Sequence, residues 1–206
     1  MQVEAVVFDI GNVLIDWQPE RYFDAQIGES RRTALFDAVD IHAMMVRIDK
    51  GGVFGEVVED TALAHPEWTR EVRWVRDHWN DVAGDEISLS VRLLRALKAK
   101  GMPVFALSNF GKENFPMTET KYPFLREFDR RFISGEMRMV KPDVEIYAAV
   151  EADCGLAPHA LLFADDRQEN IEAAAARGWQ THVFAGPEGF AADLVARGLL
   201  TADEAR

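Results

Sequence analysis

The chain has one cysteine, Cys154, in 206 residues. No disulfide can close within it, which excludes a small disulfide-stapled scaffold. No run approaches the roughly 20 apolar residues needed to cross a bilayer, so no membrane-spanning helix and no membrane partner are expected. No basic tract offsets the net charge of −12. So acidic a chain is a poor match for a phosphate backbone, and no nucleic-acid partner is expected. The opening MQVEAVVF lacks a basic n-region and runs straight into strand-like sequence. With the lone thiol, this sets a cytoplasmic location as the expectation. Repeats and low-complexity linkers are absent, and His42, His65, His78, His159 and His182 are scattered without metal-ligand spacing.

What is present is a globular composition, 48% hydrophobic and 28% charged. A chain of this size buries roughly 70% of its extended surface, enough for one sizeable domain or for a domain with an insertion. From residue 86 onward, helical periods alternate with short apolar runs. Ser88 to Lys100 reads as a helix stopped by Gly101, Pro103 to Ser108 as a strand, and Arg130 to Ser134 as another. Asp143 to Cys154 is helical, Ala160 to Ala164 a strand, Asn170 to Arg177 a helix ended by Gly178, and Thr181 to Ala185 a last strand. Strands separated by helices imply right-handed parallel crossovers, and thus an α/β protein with a Rossmann-like parallel sheet. Residues 18–85 break this rhythm with helical stretches at 20–27, 31–39, 42–48, 56–64 and 67–79. The expected organisation is a core of residues 1–17 and 86–206 with a helical cap, 18–85, inserted after the first strand. Gly51-Gly52 reads as a turn between two of its helices, and its aromatic and Met positions read as packing residues.

The ends of the apolar runs carry the chemistry. Phe8-Asp9, Leu107-Ser108-Asn109, Lys141-Pro142 and Phe163-Ala164-Asp165-Asp166 each place a polar group where a parallel sheet binds ligands, beyond the carboxyl ends of its strands. Alone, Asp9 reads as a turn-forming or capping residue. Asp165 and Asp166 change that, because three carboxylates at neighbouring strand ends repel one another unless a cation neutralises them, and hard oxygen ligands suit Mg²⁺. Lys141 then supplies a fixed positive charge, and Ser108 a donor to a phosphoryl or carboxylate oxygen.

The ordered set Asp9-Ile10-Gly11-Asn12, Leu107-Ser108-Asn109, Lys141-Pro142-Asp143 and Asp165-Asp166-Arg167 with Asn170 resembles the four motifs of the haloacid dehalogenase-like hydrolase superfamily. It is most similar to the helical-cap branch that includes sugar-phosphate phosphatases acting on glucose 1-phosphate. The resemblance implies Mg²⁺-dependent hydrolysis of a small phosphate ester, such as a sugar phosphate, through an aspartyl-phosphate on Asp9. It assigns Asp9 and Lys141 to catalysis and Gly11, Asn12, Ser108, Asn109 and Lys141 to substrate binding. Asp9, the Gly11 carbonyl, Asp165 and Asp166 fall to the metal, and a monomer or homodimer is implied.

Gly11 departs from the superfamily's common pattern, in which a second Asp at that position acts as general acid and base. Such help is typically worth about 10²- to 10⁴-fold. Asp16 is one substitute, although its place in the exit turn favours a structural role. Trp17 is read as packing beneath the cap, and Arg47 as the cap residue best placed to touch a substrate. Two other classes stay open, a metal-independent 2-haloacid dehalogenase and a non-catalytic binding protein. The acidic pair at 165–166 speaks against the first, since it would repel a carboxylate substrate.

Overall fold

The computed structural model describes residues 2–206. Five strands, β1 (Ala5–Phe8), β2 (Val104–Ser108), β3 (Arg130–Ile133), β4 (Leu161–Asp165) and β5 (Gln180–Val183), form one parallel sheet in the order β3-β2-β1-β4-β5. β1, β2 and β4 are buried along their whole length, as expected for strands covered on both faces. Alternation along them feeds two cores. Val6, Phe8, Ala106 and Leu162 point to one, while Ala5, Val7, Leu107 and Phe163 point to the other. Helices α7 (Ser88–Ala99) and α12 (Pro187–Ala196) cover the first face, and α10 (Val144–Cys154) and α11 (Gln168–Ala176) the second. After β3 the chain crosses to the far side of β1, so the strand order reverses beside β1, where such sheets bind ligands.

Between β1 and β2 the chain makes α1 (Pro19–Ile27), α2 (Glu29–Ala38), α3 (Ile41–Asp49), α4 (Phe54–Ala64), α5 (Thr69–Asp77) and α6 (Trp79–Val82). These helices bury a cluster of their own around Phe23, Leu35, Ile48, Val58 and Val72. Gly51 turns between α3 and α4 with φ 94°, a conformation that favours glycine. The single helix expected over 67–79 is instead a 3₁₀ turn at Pro66–Trp68, α5, and α6 beyond a break at His78.

This helical insertion sits firmly against α8 (Asn114–Lys121) and α9 (Ser134–Met137). Trp79 packs on Trp17 and Phe110 with ring centroids 5.2 and 5.8 Å apart, and its indole N–H donates to Thr118 Oγ1 at 2.7 Å. Glu113 accepts the Phe54 N–H at 2.8 Å, and Ser134 Oγ donates to the Asp49 carbonyl at 2.8 Å. Gly111 makes the close approach possible, because a Cβ there would stand 2.4 Å from Ile48 Cγ2.

Candidate active site

Asp9 follows β1 directly, and Ser108 and Asp165 are the last residues of β2 and β4. Since β2 and β4 flank β1, register alone brings the three polar ends together. The Asp9 N–H donates to the Ala164 carbonyl at 2.9 Å, so its backbone still keeps sheet order where its side chain leaves the strand.

Lys141, on the loop between α9 and α10, reaches into this group. Its Nζ lies 2.6 Å from Asp165 Oδ2, to which it donates, and 2.9 Å from Asp9 Oδ1. The second contact is an ion pair without hydrogen-bond alignment, which leaves the buried Asp9 Oδ1 without a hydrogen bond. Burial opposes the charge on Lys141, but Asp9 and Asp165 outweigh it and hold its pKa above the ordinary lysine value. Burial pushes Asp9 up to about 6; Lys141 and Ser108 pull it down, while Asp165 adds to the rise.

The acidic pair divides its work. Asp165 accepts from Lys141, from the Arg167 N–H at 2.8 Å and from Asn170 Nδ2 at 3.0 Å on each oxygen. Asp166 accepts from Asn12 Nδ2 at 3.0 Å, and burial raises its pKa against that bond. Oxygens of Asp9, Asp165 and Asp166 all lie within 4.8 Å of one another. Three carboxylates thus face one ammonium, and Asp9 Oδ1 and the Gly11 carbonyl accept no hydrogen bond among the described residues. A hard divalent cation fits this donor set, supplying missing charge and using unspent oxygens. No histidine joins a metal-ligating group among the described residues.

The two asparagines expected on the substrate are occupied. Asn109 Nδ2 donates to the Lys141 carbonyl at 2.9 Å and its Oδ1 accepts the Lys141 N–H at 2.8 Å, a two-bond clamp on that backbone. Asn12, with φ 55°, holds Asp166 with one end of its amide and accepts the Trp17 N–H at 3.0 Å with the other. Gly11, Asn12, Ser108, Asn109, Lys141 and Asp166 nevertheless line one cavity with Asp9, about 530 Å³ in volume, that opens between the strand ends and the helical insertion. Asp16 is outside its lining and pairs with Arg21. Arg47 is outside it too: its exposed side chain lies 3.5 Å from Asp60. Trp17 both packs on Trp79 and lines the cavity, and Phe23, Met45 and Trp79 likewise do both.

Sequence reasoning passed over Asp49, the last residue of α3, which lines the cavity from the insertion side. A signal was available. A carboxylate in the last turn of a helix opposes the macrodipole, so it needs another reason to be there.

The model of the haloacid dehalogenase-like hydrolase family matches residues 3–178. A sesquiterpene phosphatase, astK, of Aspergillus oryzae is 25% identical over 176 residues, covering 85% of this chain and 86% of its own. Drimenol cyclase drtB of Aspergillus calidoustus is 28% identical over 193 residues, 88% of this chain, which spans about a third (34%) of the cyclase's length. Among solved structures, the HAD family enzyme bt-2542 of Bacteroides thetaiotaomicron superposes with a TM-score of 0.70 at 23% identity, covering 90% of this chain and 95% of its own. That enzyme has also been solved in complex with magnesium and inorganic phosphate.

Proposed function

We propose that this chain, which belongs to the haloacid dehalogenase-like hydrolase family, is a Mg²⁺-dependent phosphomonoester hydrolase whose nucleophile is Asp9. The observation that carries the reading is the cluster of buried Asp9 and Asp165 and half-buried Asp166 around the single ammonium of Lys141, with Ser108 beside it. A dehalogenase needs no such excess of negative charge, and its carboxylate substrate would be repelled by it.

In this reading Asp9 attacks phosphorus in line and becomes an aspartyl-phosphate, which water then hydrolyses. Lys141 holds Asp9 in its charged, attacking form and offsets the charge of the transferring group. Asp165 fixes Lys141, and Asn109 fixes the backbone that carries it. Asp9, Asp166 and the Gly11 carbonyl would hold Mg²⁺, with Asp165 beside them. When bound, the ion supplies charge neutralisation for the phosphoryl oxygens. Residues 18–85 act as the cap over a core of 1–17 and 86–206.

The cap side of the cavity favours an apolar-tailed ester over the sugar phosphate expected from the sequence. Phe36, Ile41, Met45, Val46, Val75 and Val82 form much of that wall, which would leave sugar hydroxyls without partners. The relative named as a sesquiterpene phosphatase supports the same direction. Phosphate release from p-nitrophenyl phosphate, with Mg²⁺ and with EDTA, beside Asp9→Asn, tests the reading. Turnover that needs both Mg²⁺ and Asp9 supports it. Chloride release from 2-chloropropionate without metal would replace it with dehalogenation.

A further inference from the structure

We propose that Asp49 is the general acid and base of this reaction, delivered by the helical insertion in place of the side chain that Gly11 lacks. The inference rests on the phosphatase reading above and adds to it a residue, a step and a reason for the insertion to sit where it does.

Asp9 attacks from the strand ends, so an in-line displacement sends the leaving oxygen toward the opposite wall of the cavity, which the insertion builds. The group that protonates that oxygen has to stand on that wall. The insertion's titratable residues in the lining are Glu20, Asp40, His42 and Asp49. Glu20, Asp40 and His42 are exposed, and Asp40 already accepts the Ala43 N–H as the cap of α3. Asp49 is the one that is half-buried. Its carboxyl makes no hydrogen bond or ion pair among the described residues, while its backbone carbonyl is tied to Ser134 Oγ at 2.8 Å. Ser134 in turn accepts the Phe110 N–H at 2.9 Å, two residues beyond Ser108, so Asp49 is anchored to the end of β2. The side chain is free and the backbone is held.

Its electrostatic setting agrees. Burial pushes Asp49 up to about 7; Lys141 opposes this and Asp9 adds to it, so both groups of the strand-end cluster lie within range of its charge. A carboxyl that titrates near neutral pH can give a proton and take one back, as a general acid and base requires. Gly11 is not small for want of room, because a Cβ there meets only Trp17 Cβ, at 3.9 Å.

The step balances as follows. An Asp9 oxygen bonds to phosphorus as the ester P–O bond breaks, and the departing oxygen takes the Asp49 proton to leave as the neutral alcohol. Asp49, now a carboxylate, takes a proton from water while the water oxygen bonds to phosphorus. The bond between phosphorus and Asp9 then breaks, inorganic phosphate leaves, and both carboxyls return to their starting states.

The test compares kcat/KM for p-nitrophenyl phosphate and for hexyl phosphate in wild type and Asp49→Asn, with saturating Mg²⁺. Because kcat/KM reports only the first transfer, it isolates the acid. p-Nitrophenolate departs without a proton, whereas an alkoxide does not. Asp49→Asn is expected to lower kcat/KM for hexyl phosphate by about 10²- to 10⁴-fold and for p-nitrophenyl phosphate by less than about tenfold. Adding Gly11→Asp to that variant is expected to restore part of the alkyl rate. Equal losses on the two substrates, or an unchanged alkyl rate, would overturn the role of Asp49 while leaving the phosphatase reading intact. A wild-type protein that hydrolyses neither substrate overturns both.

Discussion

The two walls of the cavity are built on different principles. The strand-end wall is polar and tightly bonded except where a cation would sit: Asp165 accepts four hydrogen bonds, Asn109 and Asn12 each spend both ends of their amides, and Lys141 bridges two carboxylates, while Asp9 Oδ1 is left without a hydrogen bond. The insertion wall is mostly apolar and leaves its one half-buried acid, Asp49, unpaired among the described residues. The first arrangement fixes atoms within a network where any loss exposes a buried charge. The second selects by shape and keeps a proton available. On the proposed function, the attack on phosphorus that every phosphate ester shares is locked into the sheet, whereas the contacts that vary with substrate lie on the insertion wall.

Breaking the strand-end wall should have the largest effects. Asp9→Asn, which keeps shape and removes the attacking oxyanion, is expected to lower kcat by about 10⁴-fold or more with the circular dichroism spectrum unchanged, read by phosphate release. Lys141→Ala leaves Asp9 and Asp165 buried without their cation. Removing one partner of a buried ion pair typically costs about 3–5 kcal/mol, so urea unfolding in EDTA should report a loss of that order, made smaller by Mg²⁺. Asn109→Ala removes two hydrogen bonds to the Lys141 backbone. It should cost about 1–3 kcal/mol and lower kcat more than it raises KM.

The insertion wall should respond more gently and selectively. Met45→Lys puts a charge on the apolar surface and should reduce kcat/KM for hexyl phosphate by about 10-fold or more, with glucose 1-phosphate less affected, a ratio read by competing the two substrates. The smallest effect concerns pH. Asp49 titrates higher in the folded protein, at about 7, than an unfolded aspartate at about 3.9. The stability its proton gives is therefore full below about pH 4 and is lost as pH rises through 7. In metal-free buffer, Asp49→Asn should gain on wild type by roughly 1–3 kcal/mol between pH 4 and pH 8, measured by urea titration at each pH. A constant difference across that range would show Asp49 to be solvated.

The same contrast explains what could be read from the sequence. Buried parallel strands are continuous apolar runs with nothing else to do, so β1, β2 and β4 were legible, and their polar ends pointed to Asp9, Ser108 and Asp165; β3, with its first two arginines exposed, was legible from its apolar end and the helices on either side. That Asn12 and Asn109 serve as clamps was not legible, because a free and an occupied amide look alike in one dimension. Nor was the insertion wall, where Phe23, Met45 and Trp79 follow a helical period that serves packing and lining at once. The break at His78 and the final helix α12 were missed: the first lies inside an uninterrupted helical pattern, and the second follows the last strand, where no further alternation marked it.

The proposed function requires a covalent bond between phosphorus and Asp9. The most direct measurement is to quench the protein during turnover of p-nitrophenyl phosphate with Mg²⁺, reduce it with borohydride and map the peptide carrying residue 9 by mass spectrometry. Conversion of Asp9 to homoserine, absent without substrate, is the predicted result, because only an acyl phosphate is reduced in this way. Steady turnover with Asp9 unreduced at every quench time, and no loss of activity in Asp9→Asn, would contradict it.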